Sequence, residues 1–355
     1  MKILYLINVE WEWIFQRPQI LELQLEKNYD ICVVSKRTIG RKLATKSNVM
    51  PKKKITVWQL PKEHKFKFIN KINKMIYRIA VSKAKKYDII WVGDPLLFEY
   101  IPNDYVGKII YDCMDDHVSM SDESKRNVVK FWEDKLIEHA DVIFSSSQKL
   151  IDDKMKDKNA VLVRNGFVEQ KIYDVSEVIK KEKYSIGYFG TVAEWFDFDL
   201  LNINIQTDTK INYYVIGPIV NSVKEKIQKL NSNICLKGVV EHSKLYSFIK
   251  DYDAMIMPFV INDIILAVDP VKLYEYICFG KCIISVWYPE IERFRPYVYF
   301  YQTQDEYISL IEELSKQGFP PKYNSNMQRE FLKENSWDAR YITIRKAIEE
   351  LKKNI

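Results

Sequence analysis

Glycine and proline are scarce, ten and twelve in 355 residues, which excludes a collagen-like or low-complexity chain. No apolar run is long enough to span a bilayer: Ala254–Met257, even continued through Phe259–Ile261, stops far short of the ~20 residues a spanning helix needs. The amino-terminal stretch MKILYLINVEWEW reaches Glu10 and Glu12 within one strand length and offers no small-residue cleavage site, so it does not read as a signal peptide. Only four histidines occur (His64, His117, His139 and His242), which argues against a His-rich metal centre. The five cysteines, at 32, 113, 235, 278 and 282, are odd in number and fit neither disulfide nor zinc spacings. A reducing, cytosolic location is expected. What is present is a globular composition, 47% hydrophobic and 29% charged, in a length that suggests two domains.

The net charge of +6 hides an uneven distribution. Residues 36–86 hold 17 lysines and arginines against one acidic residue, Glu63, so the rest of the chain is net negative. Such an excess points to an anionic partner: a membrane, a nucleic acid or a phosphorylated substrate. Within it, Lys67, Lys71, Lys74 and Arg78 fall on one helical stripe. Phe68, Ile69, Ile72, Met75, Ile76 and Ile79 fall opposite and are expected to face the core. The charge density suits anionic lipid headgroups, with nucleic acid as the competing partner; no nucleic-acid-binding signature accompanies it.

Short apolar runs alternate with helical patterns from end to end. The strands expected are 3–9, 31–35, 55–60, 88–93, 108–114 and 141–146, then 185–190, 211–217, 233–239, 253–259, 282–287 and 298–302. This alternation predicts parallel sheets covered on both faces, an α/β architecture of two Rossmann-like, doubly wound domains. The expected boundaries are 1–168, a linker at 169–183, 184–336, and a helix at 337–355 packing back on the first domain. Ligands of such sheets lie beyond the carboxyl ends of the strands.

Several motifs sit there. In Asp269-Pro-Val-Lys-Leu-Tyr-Glu-Tyr276, Pro270 suits a helix start, and the amides of Val271, Lys272 and Leu273 make a ready diphosphate site. Lys272 adds a charge, and Glu275, about one turn on, can accept hydrogen bonds from ribose hydroxyls. A solvent-facing Lys–Glu pair is the plainer alternative. The strand 185–190 ends in Gly190 and Thr191, where backbone can approach a phosphate or simply turn into a helix. Asp115, Asp116 and His117 follow a central strand; one is a plausible general base, or all three are turn and cap residues. Trp11 and Trp13 lie in the loop before Arg17 and Pro18, and either contact a sugar or acyl chain or cover the core.

With PF-x2-N (Pro258, Phe259, Asn262) and PVKLYEYICFGK, the chain resembles a GT-B glycosyltransferase of the broad family 4-like group. The resemblance covers essentially the whole chain, including YFGT-x3-W-x-D (188–197), NICLKG (233–238) and the final helix. QRPQ (16–19) and YDCMDD (111–116) are similar to bacterial enzymes of capsule, teichuronic-acid and exopolysaccharide synthesis, including the xanthan glucuronosyltransferase type. The resemblance implies transfer of a sugar from a nucleotide-diphosphate sugar to a cell-surface glycan, probed through these roles: Lys272 at the diphosphate, Glu275 at the ribose, Gly190 and Thr191 along the phosphates, Asp115 or Asp116 at the acceptor hydroxyl. It implies no metal or other cofactor, a lipid-linked or oligosaccharide acceptor, a peripheral position on the inner face of the plasma membrane, and no nucleic-acid partner. Trp11, Arg17 and the basic stripe are assigned to the acceptor and membrane side. Two departures stand out. Ala267 occupies the place of a Glu that many retaining members carry, and no Arg/Lys pair follows Gly190. Both leave room for an inverting mechanism. A nucleotide-sugar 2-epimerase of the same architecture and a nucleic-acid-binding protein remain the alternatives.

Overall fold

A computed structural model describes residues 1–13, 15–41, 49–63, 65–207 and 210–353, without the side chains of 204–207. His64 and two cations of the basic segment, Lys42 and Lys46, lie outside the described residues. The chain forms two compact units. The first contains Met1–Asn165 together with the chain from Trp337 onward; the second is Gly166–Ser336.

The first unit runs β1 (Lys2–Ile7), α1 (Arg17–Leu25), β2 (Asp30–Thr38), β3 (Lys54–Gln59), α2 (Lys67–Val81), β4 (Ile89–Val92), β5 (Lys108–Cys113), α3 (Glu123–His139), β6 (Val142–Ser145), α4 (Gln148–Lys154) and β7 (Ala160–Leu162). Its sheet has the order β3-β2-β1-β4-β5-β6-β7, and all its pairs are parallel. Ile3, Tyr5, Val33, Trp91, Ile110 and Phe144 are buried in its core, which explains why its strands read as continuous apolar runs. The three-residue β7 was too short and too little patterned to be expected from sequence.

The second unit runs β8 (Tyr184–Phe189), α5 (Phe198–Thr207), β9 (Ile211–Ile216), α6 (Lys224–Ile227), β10 (Ile234–Gly238), α7 (Leu245–Ile249), β11 (Ala254–Met257), α8 (Asp263–Leu266), α9 (Val271–Cys278), β12 (Cys282–Val286), β13 (Tyr299–Tyr301), α10 (Gln304–Gln317) and α11 (Ser325–Glu334). Its sheet order is β10-β9-β8-β11-β12-β13, again parallel. The strand order reverses between β1 and β4 in one unit and between β8 and β11 in the other. Those are the switch points where a crevice opens at the carboxyl ends of the strands. The expected two doubly wound α/β sheets are therefore present.

The segment 169–183, which reads as a linker, lies along the second unit. Tyr173 N–H donates to the Cys278 carbonyl (2.9 Å) and Ser176 N–H to that of Gly280 (2.8 Å). Gly280 has φ of +67°, and a Cβ there would overlap the Asp174 carbonyl, so this close approach requires glycine. The last helix, α12 (Trp337–Lys352), belongs to the first unit. Trp337, Tyr341, Ile344, Ile348 and Leu351 are buried with Leu21, Leu25 and Tyr29.

Helix α2 corrects one expectation. Of the six residues expected to face the core, Phe68, Ile72, Met75 and Ile79 are exposed and Ile69 and Ile76 are half-buried, while the helix buries Asn73, Tyr77 and Val81. The sequence pattern shows that one face is apolar but not which way that face is turned. Among the described residues no helix is long and apolar enough to cross a membrane.

Candidate active site

In the second unit, β8 ends at the switch point with Gly190, and β11 ends there with Pro258. The loop after β8 is tied to the loop after β11. Asp197 N–H donates to the Pro258 carbonyl (2.8 Å), Val260 N–H donates to the Trp195 carbonyl (2.7 Å), and Phe196 bridges to Phe259. Asp197 caps α5 by accepting from Leu200 N–H (2.9 Å). Asn262 caps α8 by accepting from Ile265 N–H (2.9 Å). Pro258 and Phe259 are buried, so these two motif residues shape the crevice floor instead of lining its open side.

Helix α9 begins one residue after Pro270, which occupies the N-cap with an extended backbone. Helix geometry leaves the first amides, those of Val271 and Lys272, without an intrahelical acceptor. The Leu273 amide is not free, because it donates to the Pro270 carbonyl (3.2 Å), and its side chain is fully buried. The expected three-amide cradle is therefore two amides. Lys272 runs over Gly190. With φ of +134°, Gly190 has no Cβ, and an added one would overlap the Lys272 side chain. The Lys272 Nζ lies 5.7 Å from the Tyr188 ring centre and 5.8 Å from that of Phe259. Burial, opposed by Glu275, pushes the Lys272 pKa down. Lys272 has no salt bridge among the described residues; aromatic faces and the nearby Glu275 carboxylate are what favour its charge.

Glu275, one turn on, is largely covered (16% side-chain exposure), and its Oε1 lies 2.5 Å from Nε2 of His242. His242 comes from the segment following β10 and is 62% exposed. Its pKa is raised, first by the hydrogen bond to Glu275. The sequence offered a signal for His242 only in retrospect, as one of four histidines, placed just beyond a strand's carboxyl end.

In the first unit the chain leaving β5 carries the three acid–base candidates, and the structure separates them. Asp116 accepts from Ser119 Oγ (2.7 Å), Ser119 N–H (3.2 Å) and Lys154 Nζ (2.8 Å). Burial alone would raise its pKa, but Lys154 and Ser119 outweigh that and hold it low. Asp115 has no side-chain hydrogen bond or salt bridge among the described residues. Burial raises its pKa, with Asp112 and Asp116 adding to the rise and His117 and Arg17 opposing it. The Nε2 of His117 is buried with no hydrogen-bond partner. Asp116 is thus engaged in a turn and an ion pair, whereas Asp115 has no side-chain partner and His117 Nε2 is unpartnered among the described residues.

Two acceptor-side expectations are corrected here. Trp11 is fully buried, and its indole N–H donates to the Val49 carbonyl (2.8 Å); a ring in that position covers its own unit's core. Arg17 is also buried. It forks onto Asp112 of β5 (2.7, 3.1 and 3.2 Å), donates to the Val163 carbonyl (2.8 Å) and lies 5.6 Å from the Trp337 ring centre. It ties β5, the chain after β7 and α12 together, and neither residue is available to an acceptor or a membrane.

The chain is 25% identical over 279 residues, 72% of its length and 69% of the relative's, to a Bacillus subtilis (strain 168) protein named "Putative teichuronic acid biosynthesis glycosyltransferase TuaH". No protein-family profile matches. Among solved structures, sucrose-phosphate synthase from Thermosynechococcus elongatus superposes over 100% of both chains with a TM-score of 0.75 at 12% identity. Anabaena HepE, solved in complex with UDP, does so over 100% of both chains at 0.69 and 12%. The lipopolysaccharide outer core galactosyltransferase WaaB gives 0.69 at 11% identity over 99% of both chains. The chain has the two-domain fold of these glycosyltransferases. In this fold the helix start at Pro270–Leu273 and the glycine at 190 belong to the same switch-point crevice. Lys67, Lys71, Lys74 and Arg78 lie elsewhere, on α2, where Lys74 (2.8 Å) and Arg78 (3.4 Å) share Glu99.

Proposed function

We propose that this protein is a glycosyltransferase that moves a sugar from a nucleotide-diphosphate sugar to a hydroxyl of a growing, lipid-linked cell-surface glycan. The observation that carries this reading is Lys272: a lysine without a carboxylate partner, held over Gly190 at the amino end of α9, one turn from Glu275. A diphosphate would supply the missing negative charge and accept from the Val271 and Lys272 amides. The ribose hydroxyls would donate to Glu275, and Thr191 would lie along the phosphate side. UDP in a solved complex of one structural relative supports a uridine or similar nucleotide as donor.

In the first unit Asp115 would take the proton from the acceptor hydroxyl. The oxygen then bonds to the anomeric carbon as the bond from that carbon to the diphosphate oxygen breaks. The raised Asp115 pKa makes its carboxylate a stronger base toward the acceptor hydroxyl. The negative charge that develops on the leaving diphosphate falls to Lys272 and the α9 amides, fixed before the reaction begins. With those groups in place the reaction requires no divalent cation. The relative's name, which assigns it to teichuronic acid biosynthesis, supports an acceptor of the cell-wall polysaccharide class.

The test is calorimetric titration with UDP, GDP, CDP and dTDP. One nucleotide should bind, and Lys272→Ala and Glu275→Ala should each weaken it by about 1.5–3 kcal/mol, the range for hydrogen bonds to charged groups. Binding and turnover should persist in EDTA. Equal affinity in wild type and both variants would remove the donor site.

A further inference from the structure

Helix α2 shows solvent an apolar stripe that its own unit leaves uncovered. Phe68, Ile72, Met75 and Ile79 are 63%, 38%, 57% and 64% exposed. Their spacing of four, three and four places them in one line along the helix. The residues α2 buries, Asn73, Tyr77 and Val81, lie on roughly the opposite side. That side is firmly attached. Asn73 bonds both backbone groups of Leu60 (2.8 and 3.0 Å), and the Tyr77 ring stacks on Tyr100 at 4.9 Å. The apolar line therefore points away from the unit. Phe66, also exposed, continues it, with its ring 6.0 Å from that of Phe68. Single exposed apolar side chains are ordinary, but a contiguous line marks a contact surface.

Charge says what the contact is. Lys67, Lys71, Lys74 and Arg78 run along one flank of the stripe. Lys67 and Lys71 have no ion pair among the described residues, while Lys74 and Arg78 share a single carboxylate, Glu99. Lys62 and Lys65 precede the helix and are exposed. A second copy of the chain laid on this face would bring like charges together. A bilayer with anionic headgroups meets both features: apolar side chains enter the acyl boundary while lysine stems reach back to the phosphates.

We propose that α2 is a membrane-insertion helix, lying in the plane of an anionic bilayer with Phe68, Ile72, Met75 and Ile79 below the headgroups. This deepens the reading of a lipid-linked acceptor and rests on that reading only for its purpose. It differs from headgroup attraction alone, because binding then depends on the apolar line as well as on the charges.

The experiment is co-sedimentation of the full chain with phosphatidylglycerol-rich vesicles and with pure phosphatidylcholine vesicles. Wild type should bind the anionic vesicles, with slowed hydrogen exchange over α2. The quadruple variant Phe68→Ser, Ile72→Ser, Met75→Ser, Ile79→Ser, whose sites are all exposed, should lose roughly tenfold or more in vesicle affinity with its UDP affinity unchanged. Lys67→Glu with Lys71→Glu should also release the protein. Vesicle binding by the serine variant equal to wild type overturns insertion. So does a wild-type dimer that the serine changes convert to monomer without vesicles, since the stripe is then a self-association face. Wild type that binds UDP but no vesicle overturns insertion and leaves the donor site standing. Binding through α2 without any UDP affinity leaves insertion standing and removes the donor site.

Discussion

Asp115 and Asp116 are chain neighbours with opposite electrostatics. Asp116 is held ionised by Lys154 and Ser119, whereas Asp115 is desolvated without a bonded partner. Asp115→Asn should therefore lower turnover by about 10²–10⁴-fold, the usual worth of a general base, with nucleotide affinity intact. Asp116→Asn should instead lower thermal stability, because Lys154 loses one of its two carboxylates. Steady-state rates and melting curves on both variants separate the roles. His242 yields a second residue-scale prediction. Its pKa is raised by Glu275, so the stability contributed by their pair is fully present below the ordinary imidazole value. It is lost as pH rises through the raised native value. Ribose would compete with His242 for the same carboxylate. UDP affinity should consequently increase as pH rises through the raised imidazole value, and His242→Ala should remove that part of the pH dependence. The same slope in the variant would show that His242 does not guard Glu275.

At the scale of elements, the proposed donor crevice depends on two chain segments passing closer than ordinary side chains allow. The end of β8 and the start of α9 meet where Gly190 lets Lys272 cross, and a Cβ on Gly217, at the end of β9, would in turn overlap the Gly190 carbonyl. Gly190→Ala adds a methyl group into the Lys272 stem and imposes an L-residue on a positive φ, a conformation that costs about 1–2 kcal/mol. The expected outcome is a modest loss of stability together with a larger loss of nucleotide binding, measured by melting and calorimetry. Stability loss with unchanged binding would mean that Lys272 reaches its ligand by another route.

On the scale of the molecule, the chain leaves the first unit at Asn165 and returns to it at Trp337. Unit 1 is therefore incomplete until α12 is made. Helix α12 contributes five large buried side chains to that core. Fully burying such a side chain is worth about 1.5–3 kcal/mol, so their sum is comparable to the ~5–15 kcal/mol that holds a whole domain. Truncation before Trp337 should leave the first unit aggregation-prone or unfolded, whereas residues 166–336 expressed alone should still melt cooperatively. Retention of cooperative unfolding by residues 1–336 for both units would show that α12 is dispensable.

Much of this was legible in the sequence because it rests on local rules. Strands buried on both faces must be apolar, so the twelve runs before and after the connecting segment specify two parallel sheets. Pro270, Lys272 and Glu275 announce a charged helix start by spacing alone. What the sequence left open are choices between equivalent arrangements. The apolar face of α2 has the same period whether it is turned to the core or to solvent; Asn73 and Tyr77 decide by finding partners on the other side. Arg17 and Trp11 look like loop residues until Asp112, Val163 and Val49, distant in the chain, enclose them. Asp115 and Asp116 become different acids only when Lys154, from another helix, reaches one of them. Composition and periodicity determined the architecture and the positions of the helix start at Pro270 and of the strand end at Gly190. Desolvation and pairing across long separations in the chain, which exist only in the folded molecule, decided which charged groups remain available for chemistry.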